Sequence, residues 1–273
     1  MAVAGKPALC QETPRFQARV VRLAPTGSEY DNSGVISNPD GQKLFLAAPN
    51  LFPVASIMDP TYTFTVPARH TAAGAADIMS HTFEQYFVAE GNELTDGMCE
   101  AMLRTVMKYA PAALEKPRGL RSPGTADDGE FLFGCCGILS IGRSASAWPC
   151  HGIEHEISAY TDITHGAGLA VITPRWMRHT LNEKTAPRFA QYGVRVWGLD
   201  AKADIMETAR KAIDRTAEFF TSLGLPSRLS EMGVTDEHFE AMAEHVLKHW
   251  FPLETAFTPL DKAAVIAILK ASL

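Results

Sequence analysis

The run His151-Gly-Ile-Glu-His155-Glu-Ile-Ser-Ala-Tyr-Thr-Asp-Ile-Thr-His165-Gly-Ala-Gly brings three imidazoles into one short segment. His151 and His155 stand at i and i+4, so a helix would present both from one face. Tyr160 to Thr164 reads as a break, and Gly166 and Gly168 allow close backbone packing as a new helix begins. A second pair, Asp77 and His81, lies one helical turn apart next to the small-residue run Ala72-Ala73-Gly74-Ala75-Ala76. Small neighbours suggest burial, and an unpaired buried polar group costs on the order of 2–7 kcal/mol. A shared divalent cation would satisfy both side chains. One Asp and three His (His81, His151, His165) make an N/O donor set suited to Fe(II) or Zn(II) rather than Ca or Mg. Taken singly, either pair is better explained by a cap or core hydrogen bond and satisfied histidines. Taken together, the two pairs favour a metal centre.

His155 is then an extra imidazole. Its plain role is that of a surface or supporting histidine. Its chemical role would be to relay a proton near a metal-bound oxygen, since neutral histidine titrates near working pH. Glu154 and Glu156 flank it and could orient an imidazole. His70 could line the same cleft. His179, His238, His245 and His249 fall on polar helix faces and read as solvated, and the cysteines read as small core fillers.

The elements that must hold these groups change character along the chain. Residues 1–19 show no period and read as irregular. Arg19 to Leu23 is a short strand that ends at the turn Thr26-Gly27-Ser28-Glu29, whose hydroxyls and N–H groups could face an anion. Ser33 to Ser37 and Lys43 to Ala47 form a hairpin around Asn38-Pro39-Asp40-Gly41, and Ala55 to Met58 is a further strand. Thr61 to Val66 is β-branched and aromatic but boxed by prolines. From Arg69 onward the pattern is helical. Helices are expected over Thr71 to Tyr86 and Thr95 to Tyr109, the latter closed by Pro111. Others follow from His165 to Leu181, over Lys184 to Trp197, and over Lys202 to Leu223 before Gly224. The last two run from Thr235 to His249 and from Lys262 to Leu269. Pro117 to Ala147 is glycine-rich without a clean period.

The bulk numbers narrow the function. The 273 residues suffice for one large domain or two modest ones. A net charge of −6, with no basic cluster interleaved with aromatics, argues against nucleic acid. No apolar run reaches the roughly 20 residues that cross a bilayer. The opening Met1 to Cys10 is too broken for a secretory segment. Five cysteines without a C-x-x-C argue against a disulfide framework and thiolate zinc, so a cytoplasmic location is expected.

Three segments carry a family resemblance. They are Asp59-Pro60-Thr61-Tyr62-Thr63-Phe64, the run Thr71 to Tyr86, and the run His151 to Val171. The chain resembles the iron-containing (group III) alcohol dehydrogenases, in the branch of butanol dehydrogenases and NADPH-dependent aldehyde reductases. The resemblance covers roughly Val20 to Leu273 and weakens between Pro117 and Ala147. It implies a mainly α fold: a dehydroquinate synthase-like α-helical C-terminal domain over residues 67–273, preceded by a short β-containing remnant of a Rossmann-like cofactor domain over residues 1–66. It implies that Asp77, His81, His151 and His165 bind one Fe(II) or Zn(II), and that His155 matches a further active-site histidine. The metal would act as a Lewis acid on an alcohol or aldehyde oxygen while hydride moves to or from NAD(P)(H). Thr26, Ser28, Lys43 and Tyr62 fall where the family contacts the cofactor. The expected partner is a small alcohol or aldehyde, and a homodimer is compatible with the family.

Three departures stand against this pattern. Only 25 residues precede Thr26, and the family's Gly-Gly-Gly-Ser phosphate loop is absent from the sequence. Asp31 stands where the family usually has Asn. Two readings follow. In one, the chain is a metal-dependent, NAD(P)-linked oxidoreductase. In the other, it is an N-terminally truncated member that binds metal, lacks a working dinucleotide site and is inactive.

Overall fold

The computed structural model describes residues 18–20, 32–38, 41–48, 51–57, 60–116 and 138–273. The body is helical. Its first helix, α1 (Ala68–Tyr86), is almost wholly buried from Ala72 to Tyr86. It packs chiefly against α2 (Glu93–Glu115) and α4 (His165–Thr180). Helix α3 (Pro149–Thr161) precedes α4, and α5 (Ala186–Trp197) pairs closely with α6 (Ile205–Ser222). Helices α7 (Phe239–His249) and α8 (Lys262–Ala271) close the body against α3 and α4.

Local chemistry sets most of these boundaries. Asn92 caps α2, accepting from Leu94 N at 3.0 Å and Thr95 N at 3.3 Å. Asp204 and Asp261 cap α6 and α8 in the same way. Pro149 opens α3 at a position whose N–H would have no helical partner. Asp162 ends α3 with φ +53°, an uncommon left-handed conformation for a residue with a side chain. The chain thereby turns sharply, so that α4 starts at His165 beside α3.

The two glycines that open α4 have a steric purpose. A Cβ on Gly166 would overlap the backbone carbonyl of Ala73, and a Cβ on Gly168 would stand 2.6 Å from the Glu154 carboxylate. Only glycine permits this approach of α4 to α1 and α3. Around the seam lies an aromatic core that includes Phe83, Phe87, Phe189 and Tyr192, with Phe87 and Phe189 rings 4.5 Å apart.

A buried ionic knot fixes the far end of α1. Asp96 on α2 accepts from Arg143 at 2.8 Å and from Arg188 Nη2 on α5 at 2.6 Å. Arg188 also donates to the Tyr86 carbonyl at 2.7 Å.

The expected strands are present. Here β1 (Ala18–Val20) pairs in parallel with β4 (Ala55–Ile57), and β2 (Ser33–Ser37) pairs antiparallel with β3 (Lys43–Ala47). Asn38 closes the hairpin by accepting from Gln42 N at 2.8 Å, and Gly41 supplies the positive φ of the turn.

Several boundaries differ from the sequence expectations. Pro111 does not end α2, which runs on to Glu115; a single missing N–H is tolerated there. Residues Pro60–Thr65 form a 3-10 helix. Thr235 does not cap α7, which starts at Phe239. Residues 117–137 lie outside the described part, as do 1–17. No helix among the described residues is long and apolar enough to cross a membrane.

Candidate metal centre

Helices α1, α3 and α4 converge on one carboxylate oxygen. Asp77 Oδ1 lies 3.4 Å from His151 Nε2, 3.7 Å from His81 Nε2 and 3.7 Å from His165 Nε2. Asp77 and His81 come from one face of α1, His151 from the first turn of α3 and His165 from the first residue of α4. Asp77 Oδ1 and His151 Nε2 are buried, and neither makes a hydrogen bond among the described residues. Bonds of about 2.0–2.1 Å in a tetrahedral arrangement would separate neighbouring donors by roughly 3.4 Å. Asp77, His151 and His165 have donor atoms that all lie within 4.8 Å of one another, close enough to share one cation, and His81 joins them through its 3.7 Å approach to Asp77; the donor chemistry fits Fe(II) or Zn(II).

Two buried carboxylates stand behind the imidazoles. Glu84, two turns along α1 from Asp77, bonds His151 Nδ1. Its other oxygen accepts the Cys150 backbone N–H at 2.6 Å. Glu154 bonds His165 Nδ1 in the same way. A carboxylate on Nδ1 holds the proton there and turns Nε2 toward the centre, so that a cation would displace only the Nε2 proton. The charges reinforce one another. Burial would raise the Asp77 carboxyl, but His81, His165 and His151 outweigh it and hold it down at about 2. Burial would lower His151, but Glu84 and Asp77 push it up to about 10.

His155 does not face Asp77 as the others do. Its ring lies flat on His165, with centroids 4.4 Å apart and planes 10° from parallel. Its other face is covered by Trp250 at 4.7 Å and 9°. Burial, and then the neighbouring imidazoles, hold its proton affinity below that of an ordinary imidazole. Trp148 places its ring edge-on near His151 and His81, at 5.4 and 5.7 Å.

The four expected ligands are thus brought together, with His155 beside them. Lys43 reaches the same region from the hairpin and donates to Ser158 Oγ on α3 at 2.6 Å. Ser158 in turn lies 3.4 Å from Glu154. Tyr62 belongs to the 3-10 helix before α1. Thr26 and Ser28 lie outside the described residues.

Some expectations need correction. Glu154 and Glu156 flank His155 in sequence, yet Glu154 orients His165. Glu156 instead takes the Trp250 indole N–H at 2.9 Å and His245 Nδ1 at 3.2 Å. His245 is therefore not a solvated histidine: half-buried, it also meets Gln42 of the hairpin at 3.0 Å. Sequence reasoning gave Glu84 no role. Its signal was present, because i+3 from His81 and i+7 from Asp77 share a helix face. Trp250 carried no such signal, being remote in sequence from every ligand.

Known proteins resemble this chain in sequence and in fold. The sequence model described as "Fe-containing alcohol dehydrogenase family, C-terminal" matches residues 71–273. The chain is 44% identical over 257 residues to NADH-dependent butanol dehydrogenase A of Clostridium acetobutylicum, a match covering 93% of this chain and 66% of that protein. It is 30% identical to the NADPH-dependent aldehyde reductase YqhD of Escherichia coli, over 84% of this chain and 59% of that one. Among solved structures, an NADH-dependent butanol dehydrogenase A from Thermotoga maritima superimposes with a TM-score of 0.85 at 28% identity, over 93% of this chain and 65% of that one. The chain thus spans about two thirds of the length of such relatives.

Proposed function

The chain belongs to the Fe-containing alcohol dehydrogenase family, and we propose that it interconverts small alcohols and aldehydes with NAD(P)(H) at a metal held by Asp77, His81, His151 and His165. The observation that carries this reading is the convergence of three imidazole Nε2 atoms on the buried Asp77 oxygen at 3.4–3.7 Å. Fe(II) or Zn(II) held there would supply Lewis acidity toward the substrate oxygen, for a hydride transfer to or from a nicotinamide.

The protein's own groups have distinct tasks in this reading. Asp77 contributes the single anionic donor. Glu84 and Glu154 fix the tautomers of His151 and His165, so that neither ring must reorganise when a ligand arrives. His155, beside the centre, relays a proton outward as alcohol is oxidised and inward as aldehyde is reduced, without holding it at rest. Trp148 closes the side next to His81 and His151 against water. Lys43 is a cation a short distance from the centre, suited to an anionic cofactor. Thr26, Ser28 and Tyr62 belong to the same cofactor proposal, by family resemblance alone.

The test uses the purified chain. One metal ion per chain, together with aldehyde-dependent oxidation of NADH or NADPH, is the expected result. His165→Ala should sharply lower the metal content; an unchanged content removes His165 from the ligand set. Full metal content without nicotinamide binding would instead favour a metal-binding chain that lacks a working dinucleotide site.

A further inference from the structure

An imidazole at a reaction centre is commonly oriented by a hydrogen bond to one of its nitrogens, as Glu84 and Glu154 do for His151 and His165. His155 departs from this. Its Nδ1 is buried and makes no hydrogen bond among the described residues. What holds the ring are its two flat faces, one on His165 and one on Trp250.

Trp250 is itself firmly held. It sits at the C-terminal end of α7, its backbone N–H bonded to Val246 O at 3.2 Å. Its indole N–H donates to Glu156 at 2.9 Å. Glu156 is buried in α3 one residue after His155, and its second oxygen receives His245 from α7. Gln42, at the tip of the hairpin, meets the far nitrogen of His245 at 3.0 Å. A polar chain therefore runs from the hairpin through His245 and Glu156 to Trp250, and ends on the face of His155.

We propose that Trp250, anchored by Glu156, is a positioning residue that sets the plane of His155 against the metal centre by stacking. This rests on reading His155 as the proton-handling group. The stack resists rotation of the ring out of its plane while occupying neither of its nitrogens. A hydrogen bond at Nδ1 would have occupied one of the two nitrogens that such a role uses.

The test is made on the zinc-loaded full chain carrying 13C-labelled histidine, with His155 assigned through His155→Gln. Stacking under the indole shifts the His155 Cε1–H resonance upfield. Trp250→Ala should move it downfield, while Trp250→Phe, which keeps an aromatic face, should restore most of the upfield position. Zinc content should be unchanged in both variants. A His155 resonance that stays in place in Trp250→Ala overturns the proposal. Aldehyde turnover gives a second arm. If Trp250 acts through His155, adding Trp250→Ala to His155→Gln causes no further loss; independent, multiplying losses overturn it. Lack of zinc or turnover in the unsubstituted chain would instead count against the proposed function, and the resonance comparison would still decide the stack.

Discussion

Glu84 binds two points of α3 at once: one oxygen meets the His151 imidazole, the other the backbone N–H of Cys150. The His151 imidazole and the helix that carries it are thereby fixed to α1 by one buried side chain.

Glu84→Ala should weaken metal binding by about 10–100-fold, the usual effect of losing a carboxylate behind a ligating histidine. Competition titration against a chelator measures it. An affinity within about twofold of the unsubstituted chain would mean that Glu84 is only a helix anchor.

Gly166→Ala should destabilise the fold by about 1–3 kcal/mol, the range for overpacking a closed contact. The added methyl group must displace the Ala73 carbonyl, moving His165 away from Asp77. Urea unfolding gives the first quantity and metal content the second. A variant as stable and as metal-replete as the parent would show that the seam between α1 and α4 relaxes freely.

Asp96→Ala should cost about 3–5 kcal/mol near neutral pH, because it leaves buried guanidinium groups without their carboxylate. Burial works to raise the Asp96 carboxyl, but Arg188 and then Arg143 outweigh it and hold it below its ordinary value. A carboxyl lowered in the folded state adds stability above its unfolded value, about 3.9. That contribution fades as pH falls through the folded value. The gap between parent and variant should therefore narrow in acid, as read from unfolding curves at several pH values; a gap that is constant down to low pH contradicts this.

Removing metal with a chelator should lower the thermal midpoint, and restoring zinc in excess should return it. At a free concentration about 100 times Kd the ligand term is about 2.7 kcal/mol. His179→Ala, at an exposed position, should keep the full shift, while His151→Ala should abolish it. Equal shifts in both variants would place the cation elsewhere.

The juxtaposition of these side chains was legible because helical spacing preserves side-chain geometry. Asp77 with His81, and His151 with His155, each share a face of one helix, and the structure keeps them there. The hairpin was legible from Asn38 and Gly41. What could not be read were contacts between elements remote in sequence. His245 stands on the edge of α7 that the Gln42 turn covers, so a polar helix face was mistaken for a wet one. Glu154 turns away from the adjacent His155 because Gly168 leaves its carboxylate a place beside His165. Pro111 failed as a stop because α2 is supported by tertiary packing, which outweighs one lost hydrogen bond.

The sharp turn at Asp162 has a consequence for refolding. It folds His165 back beside His151 and His155, three histidines that span only 15 residues, while Asp77 lies far upstream. A cation present early meets the local histidines first and can be captured with the wrong partners before α1 docks. Folding in chelator, with metal added afterwards, should recover more correctly loaded protein than folding with metal present from the start.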